Sequence, residues 1–433
     1  MSNSPDSVES TIFDITSITI VSPAIGSVDI QNLKYIVEDF NIYQSIFSSV
    51  MSGDIVVKDS NNILTQLALN GSEFLYINFT KGEQYATFEK SFRIVKITEV
   101  GLKNLNTLKY KIHFVSEELV LDQQFRISKS YKGFYDSQIV ADILINYLQV
   151  PAEKITLEQT VIPHDEFIVP NLKPFEAIQM LTSFTLNPTL TSAFLFFETQ
   201  SGFKFQSLES LITAEPYKSL SLRPQNILSE TENKLQHVDY ISDFEIPQLF
   251  NVLDTASNGG YASSMLKLNL INQEAVAAFS DPVASTPFTT LNDYLPFTNS
   301  KNRLNGTVID SSAYVRYFVD LKGGLVDKML LQRAHQLALL NNHRMNIMIA
   351  GDTQYEAGQV IYVDFPYIQP INETSETIED PYKNGNYIIT GVRHRILENK
   401  YLCYLELCKD SVTAPFPGAV ADDSQLLKSI KSS

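Results

Sequence analysis

Tryptophan is absent from the 433 residues and cysteine occurs only twice. Two thiols cannot supply a disulfide framework, so the chain must hold together through its apolar core. No basic stretch leads into an apolar one at the N-terminus, so no leader is expected, and synthesis and folding in a cytoplasm are. No apolar run approaches the roughly 18 residues that span a bilayer, which argues against membrane insertion by the chain itself. Basic residues are also scarce, with 33 Lys and Arg against 49 Asp and Glu and a formal charge of −16. Gripping duplex DNA by counterion release needs the opposite balance.

The phosphate cradles Gly-x-x-x-x-Gly-Lys-Ser/Thr and Gly-x-Gly-x-x-Gly are missing, as are Gly-x-Ser-x-Gly and His-Glu-x-x-His. His113, His164, His237, His335, His343 and His394 are scattered, and His335 and His343 lie too far apart to share a helix face. Cys403 and Cys408 fall on one expected strand at a spacing that sends them to opposite faces, so they read as buried packing residues and not as ligands of one metal. Acidic pairs such as Glu117-Glu118, Asp165-Glu166 and Glu379-Asp380 are abundant, but abundance does not set two carboxylates across a cleft. The Asn-x-Ser/Thr matches at Asn70, Asn78, Asn305 and Asn372 are read as chance. No catalytic residue, cofactor or metal is expected, and the chain is not expected to be an enzyme.

What remains is a foldable chain, 44% hydrophobic and 19% charged, with length for about three domains. Residues 1–10 read as a loose arm. Strands are expected at Thr11 to Ile20, Ser52 to Lys58, Phe74 to Phe79, Phe92 to Thr98 and Leu108 to Val115. In the last, Tyr110, Ile112 and Phe114 alternate with Lys111, His113 and Val115 as in a half-buried strand. Helices then enter. Asp136 stands at an N-cap before the stripe Ile139, Val140, Ile143, Leu144, Tyr147 and Leu148, and Pro174 opens a second helix through Ile178, Leu181 and Phe184. Phe194 to Glu198 and Phe203 to Gln206 read as a hairpin. Met265 to Ile271 reads as a strand, and Leu325 to Leu340 as a helix with Leu325, Met329, Leu330, Ala334, Leu337 and Ala338 on its apolar face. Strands return at Met345 to Ala350, Val360 to Phe365, Asn386 to Arg395 and Tyr401 to Cys408.

The chain repeats itself. Phe74 to Phe79 matches Val360 to Phe365, Phe92 to Ile97 matches Tyr387 to Val392, and Leu108 to Val115 matches Tyr401 to Cys408, in the same order and alternation. The expected class is mainly β with α+β insertions: two similar antiparallel β-barrels and two peripheral α+β regions. The division is 1–115 for the first barrel, 116–215 for an α+β domain, 216–249 with 341–412 for a discontinuous second barrel, 250–340 for an inserted peripheral domain, and 413–433 for a flexible tail. Two barrels per chain would let three copies close into a ring of six. Arg393-His394-Arg395 is the densest basic spot, and alternation puts Arg393 and Arg395 on one strand face, either solvated or in a salt-bridging contact with an acidic neighbour subunit.

Four stretches, Ile42 to Asp59, Phe194 to Leu208, Ala357 to Pro366, and Gly385 to Arg395 continuing to Leu405–Asp410, together resemble the central baseplate hub proteins of contractile-tailed bacteriophages. The resemblance extends to late-control tail proteins and to the hub part of type VI secretion spike proteins. It implies a homotrimer forming a pseudo-sixfold torus in the virion baseplate, between the sixfold tail tube and the threefold spike. The implied partners are the central spike, the tail tube or its initiator, and baseplate wedge or other hub proteins. DNA would pass through without specific binding, past a lumen expected to be acidic. No lysozyme-like domain follows before Ser433, so wall degradation is expected on another protein. Pro415 and Pro417 open the tail, and Leu426, Leu427 and Ile430 are, with Arg393 and Arg395, candidate interface residues. The other class considered is a β-rich carbohydrate-binding or carbohydrate-processing tail protein using some of the 21 tyrosines in place of tryptophan.

Overall fold

The computed structural model describes residues 13–22, 26–29, 36–61, 63–66, 69–82, 86–104, 106–164, 166–222, 240–260, 263–269, 272–280, 289–295, 303–304, 307–308, 315–319, 328–365, 380–397 and 400–414. The N-terminal arm, Asn305, Asn372, His237, Asp165, Glu379, Leu325, Pro415, Pro417, Leu426, Leu427 and Ile430 lie outside these.

Seven strands come first: β1 (Asp14–Ser22), β2 (Gly26–Asp29), β3 (Val37–Ser45), β4 (Ser52–Asp59), β5 (Phe74–Thr80), β6 (Phe88–Asn104) and β7 (Thr107–Val115). The 116–215 region adds β8 (Ile127–Tyr131), β9 (Ile155–Leu157), β10 (Phe167–Leu172), β11 (Phe194–Thr199) and β12 (Gly202–Ser207), with helices Glu117–Gln124, Asp136–Asn146 and Pro174–Thr182. β13 (Ser219–Ser221) and β14 (Ile241–Gln248) precede three small-sheet strands, β15 (Ser263–Asn269), β16 (Glu274–Ser280) and, after the short pair β17 (Arg303–Leu304) and β18 (Thr307–Val308), β19 (Val315–Val319). β20 (His343–Ala350), β21 (Val360–Asp364), β22 (Gly385–Leu397) and β23 (Lys400–Lys409) complete the chain. The fold is mainly β, as expected.

One large sheet runs β14-β20-β23-β22-β3-β4-β7-β6-β5-β1-β2, with β21 on β22 and β13 on β21. It contains one six-strand order twice, β1-β5-β6-β7-β4-β3 and β13-β21-β22-β23-β20-β14, with a difference at the first pair, where β1 and β5 are antiparallel and β13 and β21 parallel. The registers agree residue by residue. Leu75 faces Phe92 as Ile361 faces Tyr387, and Ile94 faces Phe114 as Ile389 faces Leu407. Bulges recur at matching places, Val95 answering Thr390 and Glu38 answering Ser242. One extra residue at the same point of two strands is a feature of a duplicated backbone, since unrelated meanders have no reason to share it. A parallel bridge from Ser221 to Tyr240 joins β13 to the start of β14 and closes the second unit on itself.

Alternation makes the core. Tyr110, Ile112 and Phe114 of β7 point inward with Phe40, Ile42, Ile55 and Phe79, and this cluster continues into Ile347, Tyr387, Tyr401 and Leu405 of the second unit. Gly53 of β4 sits where a Cβ would stand 2.2 Å from the Phe114 ring and 2.4 Å from the Asn41 carbonyl oxygen. The backbone oxygen cannot yield, so Gly53→Ala should cost about 1–3 kcal/mol in urea unfolding; an unchanged midpoint would contradict the packing described.

The second core joins helix residues Ile139, Val140, Ile143, Leu144, Ile178 and Leu181 to Phe194, Phe196, Phe203 and Phe205 of the expected hairpin. Two details differ from the sequence reading. Tyr135, not Asp136, precedes the helix, its N–H donating to Gln138 Oε1 at 3.1 Å, while Asp136 begins the helix with its carboxylate 2.5 Å from His164 Nε2. The late helix opens with a π-helical turn at Lys328–Gln332 before the α-helix Arg333–Leu340. The wider turn rotates the stripe, burying Leu331, His335, Gln336, Leu339 and Leu340 and leaving Ala334 and Leu337 half-buried.

Candidate subunit interface

β22 is long enough to take two partners along one edge. Gly385 to Ile388 pair with β21, the chain bulges at Thr390, and Gly391 to Leu397 pair with β3. The two units are thus sewn together by an antiparallel ladder in which Arg395 lies opposite Asn41 and Ile396 opposite Phe40, and the Ile46 N–H extends it by donating to the Thr390 carbonyl at 3.0 Å.

Arg393 and Arg395 project from the face away from the core and His394 into it, as alternation requires. Arg395 grips Asp39 with two parallel bonds, Nε to Oδ1 at 3.1 Å and NH2 to Oδ2 at 3.0 Å, which hold its guanidinium pKa above the usual value. Arg393 Nε donates to Asn41 Oδ1 at 2.9 Å, and its guanidinium lies over the rings of Tyr43 and Tyr404. Asn41 and Tyr43 donate to Asp54 at 3.0 and 2.9 Å, and burial together with Asp54 pushes the Tyr43 hydroxyl up to about 12. The acidic neighbour of Arg395 is therefore on the other unit of the same chain. A double-mutant cycle of Asp39→Ala and Arg395→Ala should give a coupling of about 1 kcal/mol that shrinks with added salt; zero coupling would deny the pair any part in the joint.

On the core side His394 is wholly enclosed, with Nδ1 2.9 Å from the Tyr401 hydroxyl and Nε2 3.4 Å from Gln44 Nε2; burial pushes its pKa down to about 4. Cys403 is in this core and burial pushes its thiol up to about 12, whereas Cys408 packs in a different cluster with Ile46 and Ile388. The two cysteines thus sit on opposite faces as expected. Among the described residues no three His, Cys, Asp or Glu side chains converge as metal ligands would.

The outward face of β14-β20-β23-β22-β3-β4-β7 carries Asp39, Asp54, Asp243, Glu245 and Glu406 among Lys58, Lys109, Lys111, Arg344, Arg393 and Arg395. At one end Glu38 accepts three ammoniums, Lys58 and Lys109 at 2.9 Å and Lys103 at 3.6 Å, and the Lys109 and Lys58 hydrogen bonds draw its pKa down to about 2. In the large sheet, the edges of β14, of β2 and of β6 from Val95 onward lack a partner among the described residues.

Sequence reading missed β3, and with it Asp39, Asn41 and the joint. The signal was present, because Val37-Glu-Asp-Phe-Asn-Ile42 resembles Ile241-Ser-Asp-Phe-Glu-Ile246 and the two segments hold matching places in the repeat.

No family profile matches the chain. It is 21% identical over 393 residues to the probable baseplate hub protein gp334 of Vibrio phage KVP40, covering 86% of this chain and 89% of that protein. In fold it is similar to a tail protein from Neisseria meningitidis MC58, with a TM-score of 0.55 at 11% identity over 92% of this chain and 97% of the other. It is also similar to the 43 kDa tail protein of prophage MuSo2 from Shewanella oneidensis, with a TM-score of 0.53 at 9% identity over 92% and 99%. The resemblance to baseplate hub proteins read from four short stretches therefore extends over most of the chain.

Proposed function

We propose that this chain is a structural hub protein of a contractile phage baseplate, a homotrimer whose six barrel units form a pseudo-sixfold ring between the tail tube and the central spike. The observation that carries this is the duplication. Two units with the same strand order, matching registers over most of β5–β6–β7 and β21–β22–β23, and two shared bulges, already side by side in one chain, offer the ring-forming surface twice per subunit. The likeness to a phage baseplate hub protein supports the same reading. The five-part division of the chain, assembly in the host cytoplasm, and docking of spike, tube and wedge proteins belong to this proposal.

Mechanically the ring is a conduit. The outward face of the large sheet would line it, and that face differs from the acidic lumen inferred from the total charge, because its arginines and lysines are interleaved with aspartates and glutamates. Charge balance on the face, not an excess of acid, would then let phosphates pass without being held. Of the tyrosines that the carbohydrate reading would use, Tyr110, Tyr131, Tyr355, Tyr387 and Tyr401 are locked in the cores, whereas Tyr76, Tyr135 and Tyr294 are exposed. Negative-stain images of the purified chain should show rings with three heavy and three light lobes; a field of single compact particles with no rings would contradict the proposal.

A further inference from the structure

Three lysines crowd one carboxylate at the β6 end of the outward face. Glu38 Oε1 lies 2.9 Å from the Lys58 ammonium and 3.6 Å from that of Lys103, and Oε2 lies 2.9 Å from that of Lys109. Lys103 and Lys109 alone exceed the single charge of Glu38, which its lysines keep ionised down to about pH 2, and Lys58 stands beside them. We infer that this cluster is a binding site for a phosphate group, with the lysine ammoniums as its donors. The site belongs to one chain and stands whether or not the ring forms.

The fold does not need this arrangement. Lys58 and Lys109 face each other directly across β4 and β7, and like charges so placed destabilise a sheet. Glu38 and Lys103 reach them from two bulges, one between Val37 and Asp39 of β3 and one between Leu102 and Asn104 of β6. A bulge re-aims a side chain that a regular strand would turn elsewhere. The second unit repeats the backbone without the charges. Ala350 and Leu402 hold the places of Lys58 and Lys109, and Ser242 holds that of Glu38. Ile396 and Leu397 follow each other in unbroken register where β6 inserts Lys103. A unit of this pattern therefore forms without the cluster, and packing does not account for it.

Space and charge both favour an oxyanion. Side-chain exposures of 37% for Lys58 and 43% for Lys103 and Lys109 leave all three open to solvent. Gly101 lies opposite Lys109, and a Cβ there would meet no atom within 4 Å, whereas Arg395 fills the matching place opposite Leu402. An anion can thus rest beside Lys109 over bare backbone. The neighbouring Lys58 draws the Lys103 ammonium below its ordinary pKa, as crowded positive charge does. A phosphate, with several acceptor oxygens and at least one full charge, engages more such donors at once than a second carboxylate could. Acid and base balance over the face as a whole but not at this end. Exposed ammoniums are screened by salt, so the site exchanges its ligand rapidly; in the ring reading it would slow passing phosphates without arresting them.

Acetylation of lysines in the full chain by an N-hydroxysuccinimide ester, read residue by residue by mass spectrometry, tests the site. Inorganic phosphate should slow labelling of Lys103 and Lys109 by about threefold relative to chloride of equal ionic strength, while the exposed Lys129 and Lys132 of the α+β region label unchanged. A short DNA duplex in a parallel reaction distinguishes the source: protection by the duplex as well assigns the site to backbone phosphates, and protection by inorganic phosphate alone assigns it to the free ion. Lys109→Gln should abolish the protection of Lys103 with an unchanged circular dichroism spectrum. Glu38→Gln separates a binding site from a structural ion pair, because it removes the competing carboxylate and should tighten phosphate binding by about tenfold. Equal labelling in phosphate and chloride, or protection no stronger in Glu38→Gln than in the native chain, would overturn the inference and leave the ring untouched.

Discussion

Replacing Glu198 with alanine should destabilise the protein by about 3–5 kcal/mol. Glu198 ends β11, on the α+β region, but reaches into the first barrel and is only 1% exposed. One carboxylate oxygen takes the Met51 N–H at 2.7 Å and the Ser116 hydroxyl at 2.6 Å, and the other takes the Lys90 ammonium. Truncation leaves a buried amide and a largely buried ammonium without this acceptor at once, and the Ser116 hydroxyl with only the Met51 carbonyl at 3.3 Å. Desolvation of those groups then has nothing to offset it, which is why loss of one side of a buried pair costs more than the pair itself contributes. Glu198→Gln, which keeps an acceptor oxygen but no charge, should fall between. Urea unfolding measures both, and a loss below about 1 kcal/mol for the alanine variant would show that Glu198 does not clasp the two regions.

Acid should unfold the protein from a pH well above the carboxylate range. His343 and His394 are both held neutral by burial, each pushed down to about 4. His343 Nδ1–H donates to the Leu249 carbonyl at 3.2 Å and Nε2 lies 3.2 Å from the Tyr387 hydroxyl, with Lys409 adding positive charge nearby. In the unfolded chain a histidine titrates near 6.5, so between about 6.5 and 4 the unfolded state binds more protons than the folded one. Stability is therefore full above about pH 6.5 and falls as pH drops towards 4, by about 3 kcal/mol for each ring. Glu38 acts lower, since its stabilisation is lost only as pH falls from about 4.5 towards 2. Unfolding free energies measured from pH 7.5 to 4.5 should show this slope, and His394→Gln should flatten part of it. A flat profile over that interval would contradict the burial of the two rings.

The repeat was legible because apolar alternation is clear along β5 and β7 and in β6 up to the bulge at Val95, which recurs at Thr390, and the structure reproduces that alignment in register. β3 escaped because Glu38, Asp39, Asn41 and Gln44 dilute its apolar pattern. Asp39, Asn41 and Gln44 are buried or half-buried against Arg395, Arg393 and His394, partners some 350 residues away in the chain, and Glu38 against lysines of β4, β6 and β7. The basic spot at Arg393 and Arg395 was visible, but its acid was not, for the same reason. The Arg333–Leu340 helix was placed correctly and its face only in part: Met329 and Ala338 are buried as expected, whereas Leu330, Ala334 and Leu337 are half-buried, because a π turn leaves no mark in periodicity.

If three copies of the doubled unit build a ring, multi-angle light scattering of the purified chain should give a mass three times the 48.8 kDa of one chain; a mass of 48.8 kDa maintained to the highest concentration reached would rule the ring out.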